Sequence, residues 1–306
     1  MSKRILFMGT PDYATVIFKK ILNSKYEIIG LFTQPDKPVG RKQLLTPPHI
    51  KQYCLDENLN IPIFQPLKLR NNEEATKQIE ELKPDFIIVA AYGQILPKEI
   101  LNIAPCINLH ASLLPKYRGA SPIQESLLND DKFTGVTSML MEEGLDSGDI
   151  LGLQYLKITP TIEVTEAFDK LSQLAAKLTI TTLDNYENIQ PQKQNEAEVS
   201  FCRKIKKEDG LVDFSNAKKL YQKYKAYSFW PGVFLESELK LKDIELNEEI
   251  SINNQGQILE INNDSVIIGC EKGSLKIKTL QAPSKKAMNA IDYIRGQRLE
   301  INSILI

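Results

Sequence analysis

The sequence predicts a doubly wound α/β domain followed by a smaller domain of short strands. Three observations carry this. Near-continuous apolar runs such as DFIIVAA (Asp85–Ala91) suit a parallel strand covered on both faces. Segments with helical apolar spacing separate those runs, the alternation expected of a parallel sheet with crossover helices. After a polar stretch near residue 190, short alternating segments with turn residues between them suggest a small β-barrel.

Taken in order, Arg4–Met8 reads as a buried strand, Gly9-Thr10-Pro11-Asp12 as a turn and Tyr13–Leu22 as a helix. Tyr26–Thr33 is a second strand. Helical patterns around Ile50–Glu57 and Asn72–Leu82 precede DFIIVAA, and Tyr92-Gly93-Gln94-Ile95-Leu96-Pro97 is a loop at its end. Cys106 opens another short strand, Gly135–Met141 gives the next, Ile150–Ile158 an edge strand, and Val164–Tyr186 a helix that closes the domain. Gln190–Ser200 is polar, lacks an apolar period and reads as a linker. A helix over Asn216–Tyr227 follows, then strands in VFLESELKLKDIEL, GQILEINNDSVIIGC and GSLKIKTLQ, with Trp230 and Pro231 read as packing of that domain. The expected division is a catalytic domain over 1–188, a linker over 189–206 and a C-terminal domain over 207–306.

The 306 residues carry a net charge of -1, which argues against indiscriminate nucleic-acid binding. Cys54, Cys106, Cys202 and Cys270 are scattered without a CxxC pair, so a disulfide framework or structural zinc is not expected. His49 and His110 are the only histidines, which speaks against a multi-histidine metal centre. Neither a signal peptide nor a membrane span is recognisable, and a cytoplasmic protein is expected. No GxGxxG follows the first strand, so the dinucleotide fingerprint is missing.

The stretch CINLHASLLPKYRGASPIQ (Cys106–Gln124) is the candidate site. Alternation along a strand places Asn108 and His110 on one face, at the end where open parallel sheets bind ligands. The turn Gly144-Leu145-Asp146-Ser147-Gly148-Asp149 brings a carboxylate after the next strand. An amide, an imidazole and a carboxylate without a nucleophile suit transfer of an activated acyl group to an amine. Asn108 would donate to the developing oxyanion, His110 would bond that oxygen or move protons, and Asp146 would hold the imidazole's other nitrogen. The same residues also read as a turn cap, a satisfied polar histidine and a turn aspartate.

INLHASLLPKYRGASPIQ followed by GLDSGDI resembles the folate-dependent formyltransferases. The resemblance implies a Rossmann-like N-terminal domain in which Asn108, His110 and Asp146 pass the formyl group of 10-formyltetrahydrofolate directly to an amine. Ser112, Leu113, Leu114 and Pro115 match the family's SLLP segment, associated with folate binding. Tyr92 and Gly93 belong to a YGxILP segment that lines the pterin pocket in the family.

The polar stretch Gln34–Gln43 carries Lys37, Arg41 and Lys42. It reads either as a solvated loop or as a mobile basic loop that contacts phosphates. It resembles the basic insertion of the family members that act on initiator tRNA, with Arg41 as the matched residue. KIKKEDGLVDF, KAYSFWPGVF and LQAPSKKAM resemble the C-terminal domain of those members, an OB-like barrel. That adds Lys204, Lys206 and Lys207 to the expected tRNA contacts. Lys225 stands where arginine is common, and Ser228-Phe229 replaces a usual Asn-Pro. The implied reaction formylates the amino group of initiator Met-tRNA, with folate and tRNA as partners and no metal. Rival readings are another acceptor, such as an amino-sugar nucleotide or water, and a non-catalytic RNA-binding protein.

Overall fold

The structure, a computed structural model, describes residues 2–40 and 42–305, so Arg41 lies outside the described residues. The chain divides into two compact units. The first comprises Met1–Pro122, Phe133–Lys157 and Phe168–Cys202, and the second Ile123–Lys132, Ile158–Ala167 and Arg203–Ile306.

In chain order the first part runs β1 (Arg4–Gly9), α1 (Asp12–Leu22), β2 (Glu27–Phe32), β3 (Lys37–Val39), β4 (Leu44–Thr46), α2 (His49–Asp56), β5 (Ile63–Phe64), α3 (Glu73–Leu82), β6 (Phe86–Ala90), α4 (Lys98–Leu101) and β7 (Cys106–His110). It continues with β8 (Arg118–Gly119), α5 (Pro122–Leu128), β9 (Phe133–Leu140), β10 (Ile150–Lys157), α6 (Val164–Asn185) and β11 (Phe201–Cys202). The main sheet has seven strands in the order β10-β9-β7-β6-β1-β2-β5. From β5 to β7 the pairings are parallel. Strands β9 and β10 extend the β7 edge in antiparallel sense. The apolar run of β9 gives no clue to that reversal, because an alternation pattern carries no strand direction. The edge position expected of β10 is observed.

Both faces of the sheet are covered, which explains the unbroken apolar runs. On one face Leu6, Met8, Ile87 and Val89 pack with Ala75 and Ile79 of α3 and Ile100 of α4. On the other, the fully buried Phe7 meets Phe18 of α1 edge to face, with ring centroids 5.3 Å apart. Full burial of such side chains contributes about 1.5–3 kcal/mol each.

The basic stretch expected as an irregular loop contains a hairpin instead, with β3 pairing β4 from Lys37↔Thr46 to Val39↔Leu44. Its base is anchored by a polar cluster. Lys51 Nζ donates to both Asp36 carboxylate oxygens at 2.9 and 2.8 Å. Gln65 Nε2 donates to Asp36 Oδ1 and to the Gln34 carbonyl.

The second unit contains α7 (Ala217–Tyr227), β12 (Val233–Phe234), β13 (Lys240–Glu248), β14 (Ile258–Ile261), β15 (Val266–Gly269), β16 (Ser274–Gln281), β17 (Met288–Asn289) and α8 (Ala290–Gly296). Its sheet is antiparallel, ordered β12-β13-β16-β15-β14 with β17 on β16. Among the described residues no β12–β14 pairing closes it. Leu275, Ile277 and Leu280 of β16 enter a core shared with Leu241, Ile244, Ile258, Val266 and Ile268. Asn216 caps α7, its side chain accepting from Lys219 N at 3.0 Å. The lysines of α7 are largely engaged. Lys218 pairs with Asp130 and Glu249, Lys223 donates to the Leu211 carbonyl, and Lys225 is buried with its Nζ on the Pro160 carbonyl. Trp230 was expected as packing, yet it is 49% exposed and Phe229 is 82% exposed.

Phe7→Ala is expected to lower the unfolding free energy by about 3–5 kcal/mol, read by urea denaturation. The Gln65 amide and the Lys51 ammonium hold the Asp36 carboxyl below the usual carboxylate range. A lowered carboxyl stabilises the fold above its unfolded pKa of about 3.9, and that contribution is lost as pH falls through the folded value. The stability gap between wild type and Asp36→Asn should therefore be full above about pH 4 and close on further acidification. A gap independent of pH would contradict this assignment.

Candidate active site

Strand β7 pairs β6 on one side and β9 on the other, so its C-terminal end lies inside the sheet rather than at an edge. Asn108 and His110 are two residues apart on it and share a face, opposite Met139 and Thr137 of β9. The turn after β9 returns Asp146 to the same end. Leu140 N donates to the Asp149 carbonyl at 2.9 Å and closes that turn. Gly148 lies so close that a Cβ there would sit 1.7 Å from the Leu140 carbonyl oxygen. Asp146 itself adopts φ +48°, and Tyr117 adopts φ +63°. Left-handed backbone at non-glycine residues costs on the order of 1–3 kcal/mol and persists where surrounding bonds enforce it.

Asp146 is the meeting point. Its Oδ1 accepts from Asn108 Nδ2 at 3.3 Å, and its Oδ2 accepts from the Gly119 N–H at 2.8 Å. His110 Nδ1 lies 3.7 Å from Oδ2, with both side chains largely buried (6% and 13% exposed). His110 Nε2 is 2.9 Å from the Tyr117 carbonyl. A carbonyl can only accept, so Nε2 carries a hydrogen in every protonation state of the ring. The expectation paired Asp146 with one imidazole nitrogen and left the other open; instead the Tyr117 backbone holds Nε2, and Asp146 faces Nδ1. Among the described residues nothing accepts from the second N–H of the Asn108 amide. Cys106, on the same strand, is no competing nucleophile, because burial pushes its thiol up to about 12.

The other expected residues fall in several places. Ser112 is fully buried and its hydroxyl donates to the Lys116 carbonyl at 2.6 Å, so it shapes its own turn. Thr137 Oγ1 donates to the Ser112 carbonyl and accepts from Leu114 N, pinning the Ser112–Pro115 segment to β9. Leu114 is buried, whereas Leu113 and Pro115 are half-buried. Tyr92 is buried at the end of β6, and its carbonyl accepts from Thr10 Oγ1 and Gln34 Nε2. Among the described residues its phenol has no hydrogen-bond partner, and burial pushes it upward. Gly93 beside it is exposed. Lys37 and Lys42 are exposed on the hairpin of the first unit. Lys204, Lys206 and Lys207 are exposed in the second, Lys207 with Glu238 at 3.9 Å. Arg41 lies outside the described residues.

The segment expected as a plain linker binds the site. Strand β11 pairs β8 in parallel, with Arg118 N on the Ser200 carbonyl and Ala120 N on the Cys202 carbonyl. Ser200 Oγ accepts from Tyr117 N at 2.9 Å. The approach is so close that a Cβ on Gly119 would lie 2.1 Å from the Cys202 carbonyl oxygen, and Gly119 also has φ +123°. Gln194 Nε2 donates to the carbonyls of Asp146 and Gly148, each at 2.8 Å, and its Oε1 accepts from Arg118 Nε at 3.0 Å. Sequence reasoning passed over Tyr117, Gly119, Thr137 and Gln194. Tyr117 and Gly119 work through backbone atoms, which have no sequence signature. Gln194 sits among polar residues that look like any solvated tether.

The chain matches the family model "Formyl transferase" over residues 3–183 and "Formyl transferase, C-terminal domain" over residues 204–298. It is 57% identical over 298 residues to a methionyl-tRNA formyltransferase of Nitratiruptor sp., covering 97% of this chain and 98% of the relative. It is 54% identical over 303 residues to a methionyl-tRNA formyltransferase of Campylobacter lari, covering 99% of each. Among solved structures, an N-formyltransferase from Helicobacter canadensis with folinic acid and dTDP-3-aminofucose has a TM-score of 0.68 at 17% identity, over 90% of this chain and 98% of that one. HypX from Aquifex aeolicus with tetrahydrofolic acid has a TM-score of 0.66 at 16% identity, over 96% of this chain and 47% of HypX. This chain therefore spans about half the length of HypX. These structural likenesses establish the fold alone. Matches to both family models, together with relatives more than half identical along nearly the whole length, mean that the chain belongs to the methionyl-tRNA formyltransferase family of formyl transferases.

Proposed function

We propose that the chain transfers the formyl group of 10-formyltetrahydrofolate to the amino group of initiator Met-tRNA. The observation that carries the chemistry is the convergence of Asn108, His110 and the Gly119 N–H on the Asp146 carboxylate. The neutral amine attacks the formyl carbon, and the carbonyl π pair moves to oxygen. The free N–H of Asn108 donates to that oxyanion. His110, with Nε2–H committed to Tyr117, offers a lone pair at Nδ1 and takes the proton the amine loses. The imidazolium formed faces the Asp146 carboxylate and donates to the oxyanion until the C–N bond to the folate breaks. That folate nitrogen then takes the proton held at His110 Nδ1, which restores the neutral imidazole and leaves formyl-Met-tRNA and tetrahydrofolate. No covalent enzyme intermediate is needed, which agrees with the absence of a nucleophile in the set.

The formyl donor is a substrate. Ser112, Leu113, Leu114 and Pro115, with Tyr92 and Gly93, are its proposed binding residues. Ser112 serves through the turn it shapes, since its hydroxyl proton is given to the Lys116 carbonyl. The phenol of the buried Tyr92, without a hydrogen-bond partner among the described residues, is a group that a polar ligand would satisfy. The catalytic domain is read as Rossmann-like over 1–188, and 207–306 as the OB-like tRNA-binding domain. Lys37, Arg41 and Lys42, with Lys204, Lys206 and Lys207, are the proposed phosphate contacts. Their charges are exposed where described, unlike that of the buried Lys225. A role in translation initiation puts the enzyme in the cytoplasm.

Asn108→Ala should slow single-turnover transfer about 100- to 1000-fold with the folate still bound, the usual cost of one oxyanion donor. An unchanged rate would remove Asn108 from the chemistry. Affinity for Met-tRNA should fall log-linearly with salt, and Arg41→Ala should make that slope shallower by about 1. An identical slope would exclude a phosphate contact by Arg41. An assay offering Met-tRNA, an amino-sugar nucleotide and water together should formylate the tRNA. Turnover of the folate without tRNA product would leave the catalytic trio standing and reassign the acceptor.

A further inference from the structure

We propose that Gln194 is a positioning residue for formyl transfer: its carboxamide fastens the left-handed turn carrying Asp146 to the strand carrying Gly119, and so sets where the carboxylate meets Asn108 and His110. The inference rests on the reading of Asn108, His110 and Asp146 as the reacting set.

Every polar atom of the amide is engaged. A primary amide has two N–H donors and an acceptor oxygen. Gln194 points its donors at two carbonyls, Asp146 and Gly148, and its oxygen at the Arg118 Nε–H. Those partners fix its orientation, since a flipped amide would set oxygen against both carbonyls. Gln194 is only 9% exposed, so water competes poorly for these bonds. The arrangement closes a ring. Gln194 holds the Asp146 backbone, the Asp146 carboxylate holds Gly119 N, and Arg118 next to Gly119 returns to Gln194. Arg118 is held again by Glu196 of the same segment, Nη2 to Oε1 at 2.8 Å. The Asp146 carboxylate is thus tied at its side chain and its backbone to the same neighbouring strand. Loss of the Gln194 donors frees the turn from its φ of +48° and lets the carboxylate move relative to Nδ1. Small displacements of a reacting set cost large factors in rate.

Gln194→Glu tests this with little change in volume, because it replaces the NH2 that serves the two carbonyls with oxygen. The expected result is a fall in kcat for Met-tRNA formylation of about 10-fold or more, with KM for both substrates within about twofold. The pH dependence of kcat should also shift, since the moved carboxylate is the charge facing His110. In an Asp146→Asn background the same substitution should cost little further, because both changes act through one group. Unchanged kcat and pH profile in Gln194→Glu, or a full additional loss in the double variant, would overturn the proposal. Retained transfer in Asp146→Asn alone would overturn the underlying reading of the site, an outcome distinct from failure of Gln194. Should Gln194→Glu not fold, proton exchange of the Gln194 side-chain amide in the wild-type chain decides. Slow exchange is expected, and exchange as fast as that of exposed Gln side chains would overturn the proposal.

Discussion

A carboxylate held at the end of a sheet needs donors, and Asp146 draws them from segments far apart in the chain. The Asn108 amide comes from β7, and the Gly119 N–H follows the loop that carries the Tyr117 carbonyl. The Asp146 turn can sit there only with a left-handed residue and with no side chain at Gly148. His110 is then oriented from both sides, by a backbone acceptor on Nε2 and a carboxylate near Nδ1. The same carboxylate that accepts from the Asn108 amide therefore also faces His110.

Holding such a hub takes more than the strands that carry its residues. Loops at a sheet rim leave backbone donors and acceptors that must be paired. Here the pairing comes from the segment after α6. It lies beside the Tyr117–Ala120 loop as a short parallel strand and beside the Asp146 turn through the Ile150↔Gln192 bridge. Polar composition makes this segment look like a tether. The polarity is instead spent on the backbone of the site through Gln194 and Ser200, and on the Arg118 guanidinium through Glu196. The same physics operates at the basic hairpin, where the Asp36–Lys51–Gln65 cluster pins an otherwise exposed projection to the rim.

Much of the molecule was legible in the sequence. The strands at Arg4, Glu27, Phe86 and Cys106 and the helices α1, α3, α6 and α7 lie where their apolar periods indicate. Burial on two faces leaves long apolar runs, and one buried stripe leaves a helical period. Asn108 and His110 share a face because side chains alternate along any strand, and that required nothing but the sequence. The exposed Trp230 and buried Lys225 went against their residue types. A ring at a turn can stay outside the core, and the Lys225 stem is buried with its ammonium on a carbonyl and near the Tyr221 ring.

The sequence by itself determined the α/β class of the first domain and the residue types suited to the proposed chemistry, since these depend on local periodicity and on side chains with distinct acid–base and hydrogen-bonding character; its motifs carried the resemblance to the family. Only the tertiary structure decided the direction of β9 and β10, the hairpin in the basic stretch, which imidazole nitrogen meets the Tyr117 carbonyl, and the attachment of Gln194 to the Asp146 turn. Each of these depends on backbone carbonyls and N–H groups. Every residue carries them alike, so their pairing is set by three-dimensional proximity and leaves no mark in the order of side chains.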